Sequence, residues 1–140
     1  MKPTPMLVTA DVVLFGENTF NGLSVLLIQR KNPPHQFCWA LPGGFVDIGE
    51  DLLAAAQREL EEETNLKIEN LKQVGAFGNP KRDARGRVVT IAFTAKVCVE
   101  DFEPKAMDDA MNIGWFLLEE LPPLAFDHDE IIKEALSIYS

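Results

Sequence analysis

Between Gly44 and Leu66 a glycine-rich turn leads into a dense group of carboxylates, and the spacing there has a definite chemistry. Gly44 is followed after five residues by Glu50, and after seven more by Arg58-Glu59-Leu60-Glu61-Glu62-Glu63-Thr64-Asn65-Leu66. The pattern predicts a helix over 50–64. At about 100° of rotation per residue, Glu59, Glu62 and Glu63 share one face, at i, i+3 and i+4. On an open helix each such like-charge pair costs about 0.2–0.5 kcal/mol. A hard divalent cation makes the same arrangement favourable, because Mg²⁺ takes oxygen ligands and is held by one or two carboxylates plus waters and substrate phosphates.

Diphosphate hydrolysis is the reaction such a site suits. It needs charge neutralised on phosphate oxygens, a positioned water, and a base for its proton. A metal lowers the pKa of bound water and polarises the phosphoryl group. Glu59, Glu62 and Glu63 are the candidate ligands, and Gly43 and Gly44 let backbone approach the metal or the diphosphate. Arg58 is the i, i+4 partner of Glu62 and is expected to orient a ligand. Glu50 either ligates through water or caps the helix N-terminus. Glu61 points elsewhere, to solvent.

The motif resembles the Nudix box, the signature of the Nudix hydrolases. That pattern is a glycine, five residues, Glu, seven residues, then Arg-Glu-apolar-x-Glu-Glu-x-Gly-apolar. Every fixed position matches except the last glycine, here Asn65. The position follows the helix and needs left-handed backbone, which Asn accepts best after glycine. The resemblance implies an α/β/α sandwich with a mixed sheet between helices, Mg²⁺ (or Mn²⁺) as cofactor, and the Gly44 carbonyl as a further ligand.

A second segment, Phe77 to Arg87, carries Lys81, Arg82, Arg85 and Arg87 against one acid, Asp83, a positive island in an acidic chain. Arginine clusters suit bidentate phosphate binding. The loop's Asn79-Pro80 and Arg82-Asp83 look like those of the ADP-ribose pyrophosphatase branch of the family. So do Leu41-Pro42-Gly43-Gly44-Phe45-Val46 and Leu121-Pro122 to Ala125-Phe126-Asp127-His128; Ala84 stands where that branch more usually has Pro. By this resemblance Arg82 contacts phosphates or the terminal ribose, Arg30 the diphosphate, and His128 either the adenine or ribose or only the fold. Phe45 or Phe77 stacks on a base or belongs to the core. The general base is Glu63 or an acid of the 100–109 loop (Glu103, Asp108 or Asp109), with Asp109 favoured because Asp108-Asp109-Ala110 resembles the branch pattern. The branch also implies a homodimer.

These readings lead to three functions: hydrolysis of ADP-ribose to AMP and ribose 5-phosphate, pyrophosphohydrolysis of damaged nucleoside triphosphates, or sensing of ADP-ribose without hydrolysis. Regulators that resemble this branch carry a winged helix after the Nudix domain, and the chain's end at Ser140 leaves no room for one on this reading. The intact carboxylate set argues for catalysis.

The elements that must position these residues are legible from pattern. Residues 6–15 read as a buried strand and 23–30 as its hairpin partner across a turn at 17–22. Leu41 to Gly44 reads as a shaped loop. The 50–64 helix has Leu52, Leu53, Ala56 and Leu60 on its buried stripe. Further strands are expected at 71–78, 88–99 (the longest) and 112–117, a helical turn at 119–121, and a closing helix at 127–139 with Ile131, Ile132, Ala135 and Leu136 inward. The chain has 140 residues, 46% hydrophobic and 25% charged, with net charge −9, which predicts one globular domain. That charge disfavours nucleic acid as a partner, and a small nucleotide is expected instead. Cys38 and Cys98 are expected as reduced thiols in or near the core. No membrane span or signal peptide is seen at the N-terminus, so a cytoplasmic location is expected.

Overall fold

The computed structural model describes residues 3–20 and 22–139. Asn21, half of the expected Asn-Gly turn, lies outside the described residues, as do the first two residues and Ser140. The elements run β1 (Leu7–Asn18), β2 (Gly22–Arg30), β3 (Trp39–Ala40), β4 (Gly43–Phe45), α1 (Leu52–Thr64), β5 (Lys72–Phe77), β6 (Val88–Cys98), β7 (Ala110–Leu117) and α2 (His128–Ser137). Two 3-10 turns, Val99–Asp101 and Leu118–Glu120, flank β7.

The strands form one mixed sheet in the order β3-β2-β1-β6-β5, with β4 on β1 and β7 on β2. β1 and β6 run parallel in continuous register from Leu7 opposite Val88 to Glu17 opposite Cys98. A parallel pair needs a long crossover, and here it contains α1. The other edge of β1 is divided: Phe15–Asn18 pair with β2 in the hairpin, whereas Thr9–Asp11 pair with β4. β2 therefore diverges from β1 beyond Val25 and is met further along by β3, at Ile28 and Gln29. A cleft opens where the two strands part.

Both faces of the sheet are covered, which is why β1 reads as an unbroken apolar run. Ala10, Val12 and Leu14 of β1 pack with Ala55, Ala56 and Leu60 of α1. Val13 and Phe15 point the other way, to Ile131, Ile132 and Ala135 of α2. This is the expected sandwich with one helix on each face. Fully burying a side chain such as Leu60 or Ile131 contributes about 2 kcal/mol, and both are 0% exposed.

Several local expectations change. The Leu41–Gly44 loop ends in a short strand, because Gly43, Gly44 and Phe45 pair with β1. The helix starts at Leu52, after Asp51, so Glu50 precedes it. Leu52 and Leu53 are only half-buried, and Ala55 takes the inward position instead. β1, at 12 residues, is longer than β6 at 11. Cys38 is half-buried and Cys98 exposed, so the latter is not a core thiol.

Asn65 ends α1 at φ 64°, ψ 19°, with its N–H donating to Glu61 O at 2.8 Å. The left-handed conformation expected at this position is present. Replacement by glycine is expected to leave stability unchanged or slightly higher, and Asn65→Val to lower it by about 1–2 kcal/mol; urea denaturation of the three proteins measures the order.

Candidate functional site

The cleft between the parted strands holds a cavity of about 390 Å³. Thr9 and Asp11 of β1, Ile28 and Arg30 of β2, and Gly43, Gly44 and Phe45 of β4 line it, together with Glu59, Glu62 and Glu63 of α1. Its remaining walls come from the loops that carry Arg82, Asp83 and Arg85, Asp108 and Asp109, and Phe126 and His128. The three helix carboxylates therefore do face one space, with a cluster of arginines lining the same cavity.

The carboxylates differ in environment. Glu62 is exposed, Glu59 half-buried and Glu63 buried. Oε1 of Glu63 accepts the Gly43 N–H at 2.7 Å. Burial first, then the charges of Glu59 and Asp11, push the Glu63 carboxyl up to about 8 against that hydrogen bond and the Arg30 charge. Burial also raises Glu59, opposed by Arg58. A methyl group on Gly44 would lie 2.5 Å from the Glu59 carboxylate. On Gly43 it would collide with Asp11 and the Ala10 carbonyl. The glycines are required by close approach of carboxylates to backbone.

Arg58 is the organiser of the acidic side. Its Nε and Nη2 donate to the two oxygens of Glu50 at 2.7 and 3.0 Å, Nη1 to Glu59 at 2.8 Å and to Glu62 at 3.2 Å, and Nη2 to the Phe45 carbonyl at 3.0 Å. Glu50 also accepts from the Asp47 N–H at 3.0 Å, and these bonds, Arg58's foremost, hold its carboxyl down at about 2. Glu50 is thus neither the helix cap nor a residue of the cavity wall. It is Arg58's anchor, and Asp51 occupies the cap position. Glu61 is half-buried and meets Lys67 at 3.6 Å.

The loop acids are positioned by the end of α1. Lys105 N–H donates to Thr64 O at 3.0 Å and Met107 N–H to Glu63 O at 3.1 Å, so carbonyls that a helix leaves open are closed by this loop. Asp108, at φ 53°, and Asp109 reach the cavity; Glu103 does not line it. Asp109 Oδ1 accepts from Asn32 at 3.5 Å.

The basic loop is tied to the start of α2. Arg82 is buried, with Nε and Nη2 donating to Asp127 at 2.9 and 2.8 Å. Two of its donors are used on Asp127, its Nη1 has no acceptor among the described residues, and it lines the cavity. His128 is likewise 3% exposed. Its Nδ1 accepts the Leu41 N–H at 3.0 Å, which leaves the proton on Nε2, 3.6 Å from Asp11 Oδ2. Asp11 also accepts from Thr90 Oγ1 at 2.6 Å. Phe77 packs in the core under α2, whereas Phe45 stands at the cavity.

Asp11 belongs to the cavity without having been singled out in the sequence, whereas Asp83, Arg85 and Phe126 were named there only as parts of their segments. An acid inside a run of valines was the available signal for Asp11, since such a residue is rarely buried without partners. Among the described residues no three acids, imidazoles or thiols converge closely enough to enclose an ion. The donor set nevertheless suits a hard cation: it is all oxygen, and Oε2 of Glu59 and of Glu63 accepts no hydrogen bond among the described residues. No helix among the described residues is long and apolar enough to cross a membrane.

Residues 5–135 match the family model of the NUDIX domain. An ADP-ribose pyrophosphatase of Methanocaldococcus jannaschii is 48% identical over 112 residues, 79% of this chain and 64% of that protein. The ADPR responsive transcriptional repressor NtrR of Acinetobacter baylyi is 38% identical over 139 residues, 96% of this chain and 54% of that protein. The chain thus spans between half and two thirds of the length of these relatives. The NUDIX domain of Shewanella oneidensis NrtR complexed with ADP ribose is similar at a TM-score of 0.90 and 34% identity, covering 98% of this chain and 90% of that one. A bifunctional NMN adenylyltransferase/ADP ribose pyrophosphatase from Francisella tularensis, complexed with AMP and a Mn ion, is similar at 0.83 and 29% identity, covering 97% and 42%. With the Gly44–Leu66 motif, the cleft it lines and a family match over most of its length, this chain belongs to the NUDIX domain family.

Proposed function

We propose that the protein is a divalent-metal-dependent hydrolase of nucleoside diphosphate derivatives, with ADP-ribose split to AMP and ribose 5-phosphate as its reaction. The observation that carries this reading is the pairing of a partly buried carboxylate cluster, Glu59, Glu62 and Glu63, with an arginine-lined wall in one cavity. The ADP-ribose named for the relatives supports the substrate, and the AMP and Mn ion of a solved neighbour support the product and the metal class.

Glu59, Glu62 and Glu63, with the Gly44 carbonyl, would hold Mg²⁺. The metal would supply charge neutralisation at the diphosphate and a bound water of lowered pKa. Arg58 keeps Glu59 and Glu62 in place by direct hydrogen bonds and is a positioning residue. Gly43 fixes Glu63 through its N–H. Arg30 receives diphosphate oxygens. Arg82 and His128 hold the walls through Asp127, Leu41 and Asp11. Asp109, or Asp108 beside it, takes the proton of the attacking water. The apolar residues Leu7, Val8, Phe45 and Ile48 are exposed on and around the β1 and β4 strands and support a homodimer, which light scattering at micromolar concentration measures directly.

A second reading is a sensor that binds ADP-ribose and leaves it intact, favoured by the repressor among the relatives. Product analysis with Mg²⁺ separates the two. AMP and ribose 5-phosphate from ADP-ribose are the expected products; pyrophosphate released from a nucleoside triphosphate in preference would replace the substrate, and tight binding of intact ADP-ribose over hours would favour the sensor.

Glu63→Gln keeps the acceptor for Gly43 and is expected to lower turnover at least about 100-fold. The raised Glu63 pKa also fixes signs. Its folded value of about 8 lies above the ordinary 4.5, so its contribution to stability is full below 4.5 and is lost as pH rises toward 8. Metal-free Glu63→Gln is therefore expected to melt higher than the wild type at pH 8, with the gap closing toward pH 4.5. A metal must displace that proton, so at pH 7 Mg²⁺ binding is expected to release close to one proton, seen by calorimetry in buffers of different ionisation heat. Asp109→Asn and Asp108→Asn, assayed at saturating Mg²⁺, distinguish the base: the larger loss of turnover is expected at Asp109.

A further inference from the structure

Two arginines share one aromatic ring inside the cavity. The guanidinium carbon of Arg30 lies 5.1 Å from the Phe126 ring centroid, and that of Arg85 lies 5.5 Å from the same centroid and 5.0 Å from that of Phe45. Each guanidinium gains cation–π attraction from the ring, and Asp83 pairs with Arg85 at 2.7 Å. Burial first, and then the Arg85 charge, lower Arg30 from its ordinary value. Phe126 itself stands at φ 53°, left-handed backbone that a bulky residue adopts only when its surroundings hold it there. Two imidazoles also meet the ring, His35 edge-on at 4.6 Å and His128 tilted at 5.3 Å. Strained backbone, an aromatic platform and two like charges thus coincide at one wall of the cavity.

The donors left over by the protein point the same way. Arg85 gives Nε and Nη2 to Asp83, at 3.0 and 2.7 Å, and its Nη1 meets no acceptor among the described residues. The Asp83 side chain is 1% exposed and that of Arg85 35%, so a buried acid braces a cation that remains open to the cavity. Arg30 gives Nε to the Pro34 carbonyl at 2.7 Å, and neither of its terminal nitrogens has an acceptor among the described residues. Arg82, three positions before Arg85, gives the same two donors to Asp127 and differs in burial, its side chain being only 3% exposed. A pair of planar guanidinium groups with free edges is the arrangement that binds phosphoryl oxygens in fork geometry.

We propose that Arg85 and Arg30, stacked on Phe126, form a clamp for the diphosphate of the substrate, that Asp83 is the positioning residue of this clamp, and that Arg82 does not contact the ligand. The proposal rests on the diphosphate reading of the site.

The test compares wild type, Arg85→Ala, Arg85→Lys, Asp83→Ala/Arg85→Ala and Arg82→Lys. Two quantities are read: kcat and KM for ADP-ribose with Mg²⁺, and calorimetric binding of inorganic pyrophosphate with Mg²⁺ in excess. Loss of a charge-assisted fork is expected to raise KM and weaken pyrophosphate roughly 10- to 100-fold in Arg85→Ala. Arg85→Lys, which keeps the charge beside Asp83 but not the fork, is expected to fall between. Arg82→Lys is expected to lower the melting temperature with KM within about twofold of wild type. The double variant removes the acid with its partner, so the clamp is still read if Arg85→Ala does not fold. Pyrophosphate binding and KM within about twofold of wild type in the Arg85 variants would overturn the proposal, as would a KM effect confined to Arg82. Pyrophosphate binding that depends on Arg85, in a protein that leaves ADP-ribose intact, would uphold the clamp while removing the hydrolase reading.

Discussion

The buried carboxylate of Glu63 is the constraint around which the structure is arranged. It lies at the end of α1, bonded to the Gly43 N–H at 2.7 Å, with Glu59 and Asp11 close enough to raise its pKa. A carboxyl held this way needs a proton or a cation. Much else follows from keeping it there. Gly43 can have no side chain because Asp11 and Ala10 fill that space, and Gly44 can have none because Glu59 does. The loop after β6 docks its backbone on the Glu63 and Thr64 carbonyls, which ties the position of Asp108 and Asp109 to the same helix end.

Charge is separated within the cavity with two organising arginines, and they do opposite things. Arg58 lies among acids and distributes its donors over Glu50, Glu59 and Glu62, so it fixes carboxylates without cancelling the cluster. Arg82 pairs with one acid, Asp127, and joins the basic loop to the start of α2. A paired, buried arginine of this kind contributes little net stability but is costly to break. It gives the loop a fixed place, from which Asp83 and Arg85 are presented to the cavity.

Much of this was legible in the sequence for a physical reason. The carboxylate spacing is a helical spacing, and periodicity survives in a linear string. The left-handed turn at Asn65 and the two helices follow from the same local rules, and the sandwich from the resemblance that the motif carries. Pairing between distant segments was not legible. Arg82 is paired with Asp127, 45 residues away. His128 is held by Leu41 and Asp11, which are likewise remote in sequence. Glu50 is not the helix cap, because Asp51 holds that position, and Arg58 meets both its oxygens. The strand at Gly43–Phe45 arises from pairing with β1, where the glycines by themselves favour a loop.

The divided edge of β1 has an architectural consequence. One unbroken strand carries the hairpin at one end and β4, with its two glycines, at the other. Arg30 enters from the hairpin partner, and the carboxylates enter against β4. The two walls of the cleft are thus cantilevered from a common beam, and the distance between them is set by covalent chain and sheet twist. A site made in this way needs no hinge to acquire its width. Its loops can diverge in sequence, and so in the ligand they suit, while the span that a bridging group must cover stays constant.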